Sequence, residues 1–112
     1  MSQEAFNAYR IIWLFVFFDL PVVAKKDRKI ATDFRKNLVA DGFIMMQFSI
    51  YIRPCPSKEN AQVHVKRVTS DIPCKGKVSI LMVTDKQFSM IINFWGKKPE
   101  KPPDPPEQLM LF

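Results

Sequence analysis

Residues 13–21 read WLFVFFDLP (Trp13-Leu14-Phe15-Val16-Phe17-Phe18-Asp19-Leu20-Pro21), an apolar run that ends on a carboxylate. An unbroken run of this kind marks a strand covered on both faces. Side chains alternate along a strand, so Ile12, Leu14, Val16 and Phe18 point one way. Trp13, Phe15 and Phe17 point the other way, together with Asp19. An ionised carboxylate is costly to bury unless it is paired, hydrogen-bonded or bound to a metal. Two questions follow: what covers each face of this strand, and what Asp19 faces at its end.

Downstream, KKDRKIATDFRKNLVAD (25–41) has apolar residues at Ile30, Phe34 and Leu38, flanked by Ala31 and Val39. That spacing predicts a helix with one apolar stripe, and Gly42 stands where its C-cap belongs. FIMMQFSIYIR (43–53) is extended, long for one strand, and divisible by a kink near Met46-Gln47; Pro54 and Pro56 end it. Phe48, Ile50 and Ile52 fall on one face of it. Ser57 is placed to cap a second helix, with Glu59 in the first turn favoured by the helix dipole. Ala61, Val65, Val68 and Ile72 share a face of that helix, and His64, the one histidine, lies at its flank. KVSILMV (77–83) is a strand, Thr84-Asp85-Lys86 a cap or turn, and SMIINFW (89–95) a further strand closed by Gly96.

Strands alternating with helices predict an α/β sandwich (α+β in type), both helices on one face of the sheet. The sheet's second face then has no cover, and a large exposed apolar patch marks an interaction site. A second copy of the chain is the expected cover, which assigns Trp13, Phe15 and Phe17 to a homodimer interface and brings two Asp19 side chains near one symmetry axis. Composition shifts at Lys97–Glu107, KKPEKPPDPPE, which reads as an extended linker. It runs into Gln108-Leu109-Met110-Leu111-Phe112, where Leu109, Leu111 and Phe112 predict a short strand that docks on a partner. The expected division is one domain over 1–98, with a polar lead-in over 1–10, then a Pro-rich linker and C-terminal strand over 99–112.

Composition narrows the function. The 112 residues carry 17 Lys and Arg against 11 Asp and Glu, a net charge of +6, which favours a polyanionic partner. Arg28, Lys29 and Arg35 on the first helix, Lys66 and Arg67 on the second, and Lys75 before and Lys77 at the start of the third strand are the candidate phosphate contacts. Two cysteines do not make a disulfide framework, and one histidine without a Cys-x-x-Cys spacing does not make a zinc site. No Gly-rich phosphate loop, HExxH or serine-triad context is present. The apolar run is too short to span a bilayer and the start lacks a secretory pattern, so the protein is expected in the cytoplasm, away from membranes. One Asp19 is a poor metal ligand set, but a symmetric pair with water and phosphate oxygens suits Mg²⁺.

FDLP after an apolar strand, then KKDRKIATDFRKNLVADGF, then MMQFSIYIR, resembles the small CRISPR-associated endoribonuclease and spacer-acquisition family, the second of the two universal CRISPR adaptation proteins. The resemblance covers about residues 12–96, and the tail ending QLMLF is similar to one branch of the family. It implies a ferredoxin-like homodimer whose last strand packs on the partner subunit. It further implies an adaptation subunit that binds double-stranded spacer DNA and bridges dimers of the CRISPR integrase in a heterohexamer-type complex. A Mg²⁺-dependent endonuclease acting on RNA or DNA is implied too, with Asp19 as catalytic and metal-binding residue. Arg28, Arg35 and Ser49 match basic and polar positions of the family. Phe18 stands where many members carry Tyr, and Arg53 where many carry an acidic residue; both departures bear on catalysis rather than on fold. On the residues alone, a stand-alone toxin-like ribonuclease outside CRISPR is the alternative.

Overall fold

The computed structural model describes residues 11–106. The elements in order are β1 (Ile12–Asp19), α1 (Lys25–Ala40), β2 (Ile44–Gln47), β3 (Ile50–Cys55), α2 (Lys58–Ser70), β4 (Lys77–Thr84), α3 (Asp85–Ser89), β5 (Asn93–Trp95) and β6 (Lys98–Glu100). The first four strands form one antiparallel sheet in the order β2-β3-β1-β4, and β5-β6 form a separate hairpin. The βαββαβ succession with this strand order is the ferredoxin-like fold.

β1 is flanked on both edges. Its Phe15 stands opposite Ile52 of β3 and Leu81 of β4, and its Asp19 stands opposite Lys77. Leu14, Val16 and Phe18 pack with Ala31, Phe34 and Leu38 of α1 and Ala61 and Val68 of α2 in one core. The expected helical stripes fill this layer, except that Ile30, Val39 and Ile72 lie at its rim, exposed.

The helices end and begin where their caps direct. The N–H of Gly42 bonds to Val39 O and that of Phe43 to Leu38 O, a Schellman closure in which Gly42 takes φ +92°. Ser57 Oγ accepts from the Asn60 N–H and starts α2. The segment 43–53 divides at a two-residue turn, Phe48-Ser49, just past the expected kink, with a register shift between Met45 and Gln47. β3 continues through Pro54 to Cys55, beyond Ile52, the last residue that β2 reaches.

The second face of the sheet corrects an expectation. Trp13 and Phe15 do not wait for a partner subunit; they are 1% and 7% exposed within a single chain. Their cover is α3, formed where a turn and the start of a strand over 89–95 were expected. Thr84 caps it through Gln87 in a reciprocal capping box, which commits the backbone to a helical turn. Phe88 then stacks on Trp13 at 4.0 Å between ring centroids, and the Trp13 indole donates to Asp85 Oδ1 at 2.8 Å. The second core is Ile11, Trp13, Phe15, Ile52 and Phe88. One short helix covers only part of the face: Phe17 and Ile50 remain half-buried and Leu81 is 48% exposed.

Lys98–Glu100, expected within the linker, pairs with β5 across a tight turn led by Gly96 at φ +64°. Leu109, Leu111 and Phe112 lie outside the described residues, as does the 1–10 lead-in. No helix of the described residues is long and apolar enough to cross a membrane.

Phe88→Ala tests α3 as the cover of the second core. Urea unfolding should show a loss of about 3–5 kcal/mol, the range for emptying a buried phenylalanine site; a loss under about 1 kcal/mol would mean that the face is held by something else.

Candidate nucleic-acid interface

Asp19 is the last residue of β1 and is exposed, on the face that α3 leaves partly bare. A shallow groove of about 310 Å³ opens around it, lined by Phe17, Phe18, Asp19, Ser49, Ile50, Lys77 and Ser79. Three strands contribute, which fixes the carboxylate at the end of a rigid sheet. Phe18 N–H donates to Ser49 O at 3.0 Å and closes the β1–β3 ladder beside it. Gly76 approaches from below: at φ +87°, a Cβ there would lie 2.6 Å from Asp19 O. Only glycine fits that approach, so Gly76 determines how closely β4 can enter alongside Asp19.

The basic residues separate into groups. Lys77 is brought to Asp19 by register, and Lys75, just before it, lies 3.8 Å from Asp27 of α1. Arg28 turns back onto the loop after β1, donating to Val22 O and Val23 O at 3.3 and 2.6 Å, so it shapes the loop that follows Asp19. Lys29 is exposed and pairs with Asp33 at 3.0 Å. Arg35 is stacked between aromatic rings, its guanidinium carbon 5.2 Å from the Phe18 centroid and 4.2 Å from that of Phe48. Lys66 is exposed on α2. Arg67 is drawn to the α1–α2 seam, where Nη1 donates to Asp41 Oδ1 at 2.7 Å.

That seam holds a cluster absent from the sequence reading. His64 is buried, and its Nδ1 donates to Asp41 Oδ2 at 2.8 Å, while Arg53 Nε donates to Asp41 O at 2.7 Å. Burial alone would raise the Asp41 carboxyl, but the hydrogen bonds from His64 and Arg67 outweigh it and hold the group below the usual carboxylate range. Three groups from α2 and β3 thus converge on the C-cap of α1. Residues 23 and 26 positions apart meet here, a pairing no local periodicity signals. The cluster joins elements and reaches no groove residue around Asp19. Arg53 also accounts for its departure from an acidic residue: it bonds the α1 C-cap, and its guanidinium lies against the space beside Gly42. Cys55 is buried beside it, and burial pushes its thiol up, away from reactivity.

Among the described residues, no group of three or more His, Cys, Asp or Glu side chains could hold a metal ion. One chain offers a hard cation one carboxylate at Asp19 with the Ser49 hydroxyl and solvent nearby. The donors are oxygens, as Mg²⁺ requires, but they are few, and Mg²⁺ sites are built from one or two carboxylates together with water and phosphate oxygens.

Comparisons with known proteins agree with this architecture. The family model described as CRISPR associated protein Cas2 matches residues 12–91. The chain is 55% identical over 106 residues to a protein of Flavobacterium psychrophilum named CRISPR-associated endoribonuclease Cas2, covering 95% of this chain and 92% of that one. Proteins of the same name from Parvibaculum lavamentivorans and Paracidovorax avenae are 48% and 42% identical, over 90% and 95% of this chain and 100% and 98% of their own lengths.

The Asp41 cluster makes a pH prediction. Because folding favours the ionised carboxyl, its stabilisation is present above the unfolded value of about 4 and is lost as pH falls through the depressed folded value. Urea midpoints measured from pH 6 downward should fall below about pH 4 in the natural protein and fall less steeply in Asp41→Asn. Parallel curves would show that Asp41 does not contribute.

Proposed function

The chain belongs to the CRISPR associated protein Cas2 family, and from that premise we propose that it serves spacer acquisition in CRISPR immunity as a homodimeric nucleic-acid-binding subunit whose paired Asp19 carboxylates hold Mg²⁺ for endonucleolytic cleavage. The endoribonuclease in the names of its relatives favours RNA as the strand cut. Membership of a CRISPR-associated family favours this reading over a stand-alone ribonuclease.

The observation that carries the proposal is the position of Asp19: exposed, on rigid sheet, at the edge of an apolar strip that α3 does not reach. Phe17, Ile50 and Leu81 form that strip, and burying it against a second copy brings two Asp19 side chains toward each other. Trp13 and Phe15 then support the interface from within the chain rather than forming it. The two carboxylates would hold the metal, and the chemistry it would supply there is polarisation of a phosphodiester and activation of water.

The chain's own groups do the rest. Lys77 stands across from Asp19 and meets phosphate oxygens at the groove, with Lys75 extending the positive rim. Ser49 offers a hydroxyl to the same backbone, and Gly76 keeps the strand end tight. For spacer DNA, exposed Lys29 and Lys66 add phosphate contacts that carry no sequence information. Arg28 acts through the loop it holds and Arg67 through the helix seam. Engagement of the integrase is assigned to the C-terminal segment, including Leu109, Leu111 and Phe112.

Asp19→Asn keeps the shape and removes the charge. Cleavage of single-stranded RNA in Mg²⁺ should fall by about 100-fold, and removing metal with a chelator should do the same to the natural protein. Binding of duplex DNA and the unfolding midpoint should hold. Cleavage by the Asn variant at the natural rate would overturn the catalytic role.

A further inference from the structure

The groove at Asp19 carries a carboxylate, a hydroxyl and Lys77 at its rim, and its apolar lining, Phe17 and Ile50, is the strip assigned above to a second copy, so a base needs another surface to stack on. Such a surface lies one residue away. Phe48 is 70% exposed on the two-residue turn between β2 and β3, and the turn's other residue, Ser49, lines the groove. The turn is clamped where Ser49 O accepts the Phe18 N–H. Arg35 lies against the Phe48 ring at 4.2 Å from its centroid, and Phe18, itself packed edge-on to Phe34 at 5.3 Å, holds the same guanidinium from the core side. Arg35 Nε is buried without a hydrogen-bond partner, and among the described residues no carboxylate pairs with this side chain. Ring stacking, not an ion pair, orders Arg35, and in return Arg35 fixes the plane of Phe48.

We propose that Phe48 is a stacking platform for an unpaired base of single-stranded RNA, set in place by Arg35 and feeding the adjoining phosphodiester to the groove at Asp19. The inference rests on the nuclease reading of that groove and adds to it the recognition of a single strand. Three features favour this occupant. An aromatic ring open on one side accepts any base, and such stacking is tolerant of sequence. A cation beneath the ring strengthens the platform and leaves guanidinium N–H groups free for phosphate. Lys75 and Lys77 bring ammonium groups to the same strand end, which suits a polyanion whose phosphates follow the stacked base. Bases within a duplex are already stacked, so the platform discriminates single from double strands without reading sequence.

The test is done in metal-free buffer with a short unstructured RNA carrying 2-aminopurine, whose fluorescence reports stacking, alongside a single-stranded DNA and a duplex of the same length. Phe48→Leu keeps an apolar cover over Arg35 but removes the π face; Phe48→Tyr keeps both. The Leu variant should bind the RNA about 5- to 100-fold more weakly and show no fluorescence change. Its dependence on salt should stay the same, since no charge is removed, and so should its duplex binding. The Tyr variant should match the natural protein. An equal loss on single-stranded DNA supports the platform and places its selectivity at the unpaired base. Natural-strength RNA binding by the Leu variant overturns the proposal. So does a parallel loss on RNA and duplex, which would mark a structural role, and so does absence of RNA binding or of a fluorescence change with the unaltered protein. In a separate assay with Mg²⁺ restored, cutting of RNA by Asp19→Asn at the natural rate would end the catalytic reading while the platform stands.

Discussion

Trp13 and Phe15 impose the constraint that the rest of the chain satisfies. β1, like β3, is paired on both edges, and its side chains are large and apolar on both faces, so neither face can be left to water. The helix layer takes one side with α1 and α2. The other side is taken by α3, five residues long, whose Phe88 lies flat on Trp13 while Asp85 satisfies the indole N–H. Each large side chain covered in this way contributes roughly 1.5–3 kcal/mol. The capping box at Thr84 therefore has a tertiary purpose: it turns the chain so that Phe88 arrives where the sheet needs it.

The same constraint places the candidate site. A helix of five residues cannot reach the far end of an eight-residue strand, so the second face is covered at Trp13 and thins out toward Asp19. The carboxylate stands where apolar cover stops. On the helix side of the same strand end, Phe18 is locked among Phe34, Tyr51 and Arg35. A tyrosine hydroxyl at this position would need a partner in that packing; phenylalanine needs none and leaves Arg35 to stack on Phe48. Charge, aromatic surface and a fixed carboxylate thus meet at one end of the sheet. The seam of Asp41, His64, Arg53 and Arg67 ties the helices to the sheet elsewhere.

Much of this was legible in the residues. The doubly apolar β1, the 3.6-residue stripes of Phe34 and Leu38 or Ala61 and Val68, the Gly42 stop and the Ser57 start are local signals, and each appears as expected. The family resemblance of FDLP, the basic helix and QFSIY agrees with the match to the Cas2 model. What escaped detection depends on distance in the chain. The helical turn at Asp85–Ser89 is too short for a periodic apolar stripe and reads as a cap or turn, and only the Thr84–Gln87 box and the stack on Trp13, over 70 residues away, reveal it. For the same reason the residues alone point to a partner as the cover of the whole second face. Alternation puts Phe48 on one face with Ile50 and Ile52, but the Phe48-Ser49 turn takes it out of the strand and into solvent. Arg67, read as a phosphate contact, is engaged by Asp41 through a pairing that periodicity cannot show.

The claim on which the functional account rests is that two copies meet along Phe17, Ile50 and Leu81 and bring their Asp19 positions together. Asp19→Cys, combined with Cys74→Ser to leave the buried Cys55 as the other thiol, allows one nitroxide label per chain at this position. The account predicts continuous-wave spectra strongly broadened by dipolar coupling at micromolar protein, relieved when labelled chains are diluted with excess unlabelled ones. An unbroadened spectrum from folded protein, unchanged by that dilution, would contradict it.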